Sequence, residues 1–130
     1  MFARVTSLVV MLLVSFSSLA ASPYDLVGTF SAIGKGKMTE VEKIEKRENQ
    51  YMLFTKKQGA WKESKKPLEV VTPEQFEKML KAPQPSDAVG LSSKVIAVFK
   101  VNKGWGKGKF KTDTGYFMLL IFGPVELHKS

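Results

Sequence analysis

Period-two alternation, frequent Gly and Pro breaks between short apolar segments and one capped helical stretch predict a mainly β (α+β) fold. The expected architecture is a small antiparallel barrel or a curved sheet with one packed helix. Tyr51 to Lys57 and the apolar run Tyr116 to Phe122 are the clearest strands, and only the stretch after Thr72 carries helix-start signals.

The first element is of another kind. Arg4 supplies a positive start, and Leu8 to Phe16 is an apolar core interrupted only by Ser15. Ser18-Leu19-Ala20-Ala21 then offers the small residues that a signal peptidase accepts. The apolar stretch is shorter than the roughly 20 residues that span a bilayer, and no cysteine follows to carry a lipid. Residues 1–21 are therefore expected to be a signal peptide, cleaved near Ala20 or Ala21. Residues 22–130 then form a single β-rich domain, periplasmic or secreted and not membrane-spanning.

Tyr24 to Ile33 alternates loosely, with Leu26, Gly28, Phe30 and Ala32 on one face, until Gly34-Lys35-Gly36-Lys37 breaks it. Met38 to Lys46 admits two readings. Thr39-Glu40-Val41-Glu42 has the form of a capping box, whereas Val41 and Ile44 fit neither helical nor strand period. A polar edge strand is the expectation, because Arg47-Glu48-Asn49-Gln50 reads as a turn into Tyr51 to Lys57. Gln58-Gly59-Ala60 turns again into a short strand opened by Trp61, completing a meander.

Thr72 is the expected N-cap, Pro73 the first helical residue and Gln75 the capping-box partner. Phe76, Met79 and Leu80 fall on one stripe for packing against the sheet. Pro83 and Pro85 end the helix, and Ala82 to Ser93 reads as an irregular connection. Val95 to Val101 is apolar on both faces, as in a buried strand. Tyr116 to Phe122 is expected to be a central or barrel-lining strand, with an exposed partner-seeking surface as the alternative. Val125 to His128 adds a short edge strand.

Composition restricts the chemistry. Without Arg4, Lys plus Arg falls from 20 to 19 against 12 acids, so the net charge falls from +8 to +7. Arg47 is the only arginine left, and a lysine coat suits non-specific attraction to anionic surfaces better than bidentate recognition. With no cysteine, thiol catalysis, thiolate zinc sites and disulfides are excluded. His128 stands two residues from the end, a poor place for a catalytic imidazole. Glu40, Glu42, Glu45 and Glu48 interleave with Lys43, Lys46 and Arg47, which reads as a solvated, charge-balanced face. No carboxylate pair is singled out for hydrolysis. The expectation is a protein that is not an enzyme and needs neither metal nor cofactor.

The most distinctive segment is Lys103-Gly104-Trp105-Gly106-Lys107-Gly108-Lys109-Phe110. In an extended strand, its three glycines share one face and Trp105, Lys107, Lys109 and Lys111 the other. Six lysines and no acid lie between Lys94 and Thr112. Three readings compete. Trp105 packs over the end of the core; or Trp105, Lys103, Lys107, Lys109 and Phe110 form a partner-binding loop; or the segment is a polyanion platform. The segment is similar to the basic-aromatic strands of cold-shock domains, but export and the scarcity of arginine argue against specific nucleic-acid binding.

Asp25-Leu26-Val27-Gly28-Thr29-Phe30 resembles the Gly-x-Trp opening strand of lipocalin-like barrels, with Phe30 at the position of the tryptophan. The resemblance covers half a dozen residues and implies a small antiparallel barrel. The functional expectation is an exported, non-catalytic binding protein: a periplasmic inhibitor or immunity-type protein that docks on an envelope-active enzyme with an acidic cleft. The alternatives are a lipocalin-like carrier, with Tyr116, Met118, Leu120 and Phe122 lining a cavity for a small apolar ligand, or a binder of anionic envelope polymer.

Overall fold

A computed structural model describes residues 21–130, so the expected leader lies, Ala21 apart, outside the described residues. In chain order the first elements are a 3₁₀ turn (Pro23–Leu26), β1 (Gly28–Gly34), β2 (Lys37–Arg47), β3 (Gln50–Lys57), β4 (Ala60–Glu63) and β5 (Glu69–Val70). Helix α1 (Pro73–Leu80) is followed by β6 (Val89–Ser92), β7 (Ala97–Lys100), β8 (Gly106–Lys107) and β9 (Phe110–Lys111). The chain closes with β10 (Tyr116–Leu120), β11 (Gly123–Glu126) and β12 (His128–Lys129). All pairings are antiparallel.

The first sheet has the order β12-β1-β2-β3-β4 and the second β11-β10-β7-β6-β5. They do not close into a barrel, so the curved-sheet alternative with one helix is the fold found. Between them lies one apolar cluster: Leu26, Phe30, Ile44 and Leu53 from the first sheet and its entry turn meet Leu91, Val98 and Met118 of the second. On the far face of the second sheet, Phe99 and Phe117 meet Phe76 and Leu80 of α1 in a second cluster. Three layers result, and β7 and β10 in the middle are apolar on both faces for that reason.

Several elements depart from the sequence reading. The strand expected from Tyr24 begins only at Gly28, because Pro23 starts a 3₁₀ turn that delivers Leu26 to the core. Met38 to Lys46 is a strand but not an edge: β2 lies between β1 and β3. The expected irregular connection contains β6, whose Val89, Gly90 and Leu91 are buried. Val95 precedes β7 and is exposed, and Met79 leaves the buried stripe of α1, which rests on Phe76 and Leu80. His128, placed by sequence at a fraying end, pairs with Ser31 across β12 and β1.

Local chemistry explains the helix. Gln75 N–H donates to Thr72 Oγ1 at 3.2 Å and Thr72 N–H to Gln75 Oε1 at 2.9 Å, the reciprocal capping box. Lys81 closes the other end in the left-handed region, φ 56°.

Phe117 is the hub of the outer cluster. Its ring stacks on Phe99 at 5.1 Å and on Trp105 at 5.4 Å, and meets Phe110 at 5.2 Å. Phe76 closes the group edge-on to Phe99 and Trp105. Each such pair adds about 0.5–1.5 kcal/mol beyond area burial. Glu126 ties down the loop that leads into β10. The N–H groups of Asp113 and Thr114 donate to its Oε2 at 2.6 and 2.9 Å, and the Thr112 hydroxyl lies 3.2 Å away. Burial opposes the Glu126 charge, but these donors and the nearby His128 outweigh it and hold the carboxyl below its usual range.

Gly90 stands opposite Phe99 in the β6–β7 pair, and an added Cβ would lie 2.6 Å from the Phe99 ring. Gly90→Ala is therefore expected to displace that ring and cost about 1–3 kcal/mol in chemical denaturation. Trp105→Ala, which strips one side of the Phe117 stack, is expected to cost about 2 kcal/mol or more by the same measurement.

Candidate functional site

Two surfaces stand out, one beside α1 and one between the sheets. The first is built on the lysine-tryptophan segment, which is not one extended strand but a tight hairpin, β8–β9. Gly106 makes the turn-back possible: a Cβ there would sit 2.5 Å from the Phe110 carbonyl oxygen. The close approach is thus to the hairpin's own second arm. The fold turns Trp105 and Phe110 inward onto Phe117, half-buried, and leaves Lys103, Lys107 and Lys109 exposed. None of these three lysines has an ion-pair partner among the described residues.

Beside Trp105 and Phe110 opens a hollow of about 450 Å³ whose walls include Met79, Leu80, Lys107, Leu119, Leu120 and Pro124. Its rim is the β10–β11 hairpin. Leu120 pairs with Gly123, so Ile121 and Phe122 form a two-residue tip, 95% and 82% exposed. Sequence reasoning passed over this tip by running the strand through Phe122. The alternative reading of this run as an exposed partner-seeking surface holds for these two residues alone, because the strand stops at Leu120. The four residues expected to line a cavity part company here. Met118 is buried in the inter-sheet core and Tyr116 packs at its side against Phe30, 5.6 Å between rings. Leu120 lines a cleft between the sheets, and Phe122 stands in solvent.

That second surface is a cleft of about 400 Å³ at one end of the inter-sheet space. Leu53, Val95, Ile96 and Leu120 supply its apolar wall, and Lys57, Lys62, Glu63 and Lys65 its charged rim. A β-bulge sets its floor. Phe30 pairs with Glu42 but Ser31 with Glu40, so Val41 is skipped and the inside-outside alternation of β2 changes phase. Ile44 and Glu42 on one side of the bulge face inward while Glu40 beyond it faces out, and Glu42 is only 6% exposed. This overturns the expectation of a uniformly solvated Glu40 to Glu48 face. Glu40 and Glu45 do lie outside, paired with Lys56 and Lys43 at 3.3 and 3.4 Å.

Glu42, Thr55 and Lys62 form one cross-strand row over β2, β3 and β4. Thr55 Oγ1 donates to Glu42 Oε2 at 2.8 Å. Burial pushes the Glu42 carboxyl up to about 7, against the smaller opposing effects of that hydrogen bond and Lys57. Its other oxygen accepts no hydrogen bond among the described residues. A carboxyl poised in this way can donate a hydrogen bond when protonated and repel anions when ionised.

The outward face of the first sheet is satisfied by its own contacts. Lys43 sits over both Phe54 and Trp61, Lys56 over Trp61, and Arg47 over Phe54 while pairing with Glu63. Among the described residues no three His, Asp or Glu converge as metal ligands, and no helix is long and apolar enough to cross a membrane. Comparison with protein-family models, with curated proteins and with solved structures finds no match to this chain.

The raised Glu42 carboxyl links stability to pH. The native protein holds this proton up to about pH 7, whereas the unfolded chain releases it near the ordinary 4.5. The native state binds more protons across that window, so this group's contribution falls as pH rises from about 4.5 to about 7. Glu42→Gln is expected to change the melting temperature little at about pH 4. At about pH 8 it should stabilise by on the order of 2–3 kcal/mol.

Proposed function

We propose that the protein is an exported, non-catalytic binding protein of the bacterial periplasm that docks on an acidic surface of a partner protein. The observation that carries the reading is the hairpin tip, where Ile121 and Phe122 stand almost fully in solvent beside an apolar hollow. Apolar side chains of this size lose about 1.5–3 kcal/mol each by remaining exposed, and clustering them on one projecting turn marks an interaction site. The support beneath is stiff: the Trp105–Phe117–Phe99 stack underlies the hollow, so docking orders few side chains there. Lys103, Lys107 and Lys109 add unpaired positive charge, and their complement is a carboxylate-rich cleft, as in an envelope hydrolase that such a protein would block.

In this arrangement the tip residues are the anchors and Trp105 forms part of the floor on which a partner would rest. The lysines would govern the rate of encounter and its salt dependence more than final affinity.

A photo-crosslinking amino acid at position 122, used in living cells, is the direct test. One discrete protein adduct is expected, its yield lost in Ile121→Asp while the melting temperature holds. With that partner purified, Phe122→Ala should weaken binding about thirtyfold. The absence of an adduct, or binding to vesicles of anionic phospholipid in its place, would overturn the reading.

A further inference from the structure

We infer that the cleft between the two sheets binds a small amphipathic acid, with its apolar body against Leu53, Ile96 and Leu120 and its anionic head on the row Glu42, Thr55 and Lys62. This site shares only Leu120 with the hollow beside the docking tip and does not depend on the tip. Three observations carry it. The volume, about 400 Å³, is that of a small-ligand pocket, and its wall opposite the first sheet, Val95, Ile96 and Leu120, is wholly apolar. A nine-tenths buried carboxyl, Glu42, opens onto it. Lys57, Lys62 and Lys65 ring the mouth, and a neighbouring hollow of about 430 Å³ that shares Ser64, Lys65 and Val95 adds Lys66 and Lys94 against one acid, Glu69.

The signs of charge select the ligand. The rim acid Glu63 already pairs with Arg47, so an incoming ion meets chiefly lysines. An organic cation would have to pass them, while an anion is drawn in. The apolar wall then excludes a small hydrated anion and favours one carrying a hydrocarbon body. Glu42 completes the site only when it holds a proton. In that form its hydroxyl donates to the anionic head, and once ionised it repels the head at close range. The charged groups around it are Lys57, Lys62, Glu63 and Lys65, and the opposite wall contributes only Val95 and Ile96 from the β6–β7 connection and Leu120 from the end of β10. The proton on Glu42 is therefore the switch, and it changes near neutral pH.

The test is calorimetric titration of the full folded domain with decanoate, decylammonium and decanol. Decanoate is expected to bind at about pH 6 and about tenfold more weakly at about pH 8, following the loss of the Glu42 proton. Glu42→Gln, whose amide keeps a donor, should retain the affinity seen at low pH and remove the pH dependence. Lys57→Ala with Lys62→Ala should weaken decanoate at least fivefold and leave decanol unchanged. Preference for decylammonium, no heat from decanoate at either pH, or a wild-type affinity equal at the two pH values would overturn the inference.

Discussion

The middle strands of the second sheet, β7 and β10, are buried on both faces, and the rest of the molecule follows from that constraint. In β10, Phe117 points to one side and Met118 to the other, and in β7 Phe99 and Val98 divide in the same way. Leaving either side in water would forfeit about 1.5–3 kcal/mol for each of these side chains. The first sheet covers one face. Helix α1, of eight residues, is too short to cover the other alone, and the β8–β9 hairpin finishes the task with Trp105 and Phe110. A chain without disulfides depends on such packing entirely. The lysine-tryptophan segment is therefore a lid on the core first, and whatever it offers a partner is what the lid leaves uncovered.

Much of this was legible in the residues. The capping signals at Thr72, Pro73 and Gln75 locate the helix start, and the two-sided apolarity of Val95 to Val101 marks a middle strand. The turns at Glu48-Asn49 and Gln58-Gly59 are visible for the same reason: polar residues and glycine tolerate left-handed backbone, which Glu48, Gln58 and Gly59 adopt. What was not legible depends on partners distant in sequence. β2 looks like an edge because its polar face is read without β1, which pairs on its other side. The 3₁₀ turn at Pro23 hides because Leu26, Phe30 and Ala32 keep a common face either way. Trp105 could be packing or anchor until Phe117, on a different strand, supplies the stacking plane.

The bulge at Val41 shows how one irregularity moves chemistry. Val41 and Ile44 fit no single period because the alternation changes phase between them and Thr39. A regular strand through Glu40 would have kept one alternation throughout. Instead Glu40 meets Lys56 outside and Glu42 turns inward beside Ile44, where desolvation raises its carboxyl. A fold selected only for stability would place a threonine or valine there, since the carboxyl gains one hydrogen bond from Thr55 and loses most of its water. A destabilised titratable group that opens onto a cavity is the pattern of a site.

Leu120 connects the two surfaces, because it lines both the inter-sheet cleft and the hollow beside Trp105. Contact alone does not couple two sites; coupling requires an element with two arrangements that each ligand biases differently. The base of β10 has little freedom for that. Phe117 is fixed by three aromatic neighbours, and Glu126 holds the preceding loop through two backbone N–H groups. Only beyond Leu120, at Ile121 and Phe122, does the chain leave both cores and reach the exposed tip. The contact between the cleft and the hollow is therefore confined to Leu120 at the end of β10. The aromatic stack beneath the hollow lies on the other face of the second sheet from the inter-sheet core, which leaves Leu120 as the residue that reaches both surfaces.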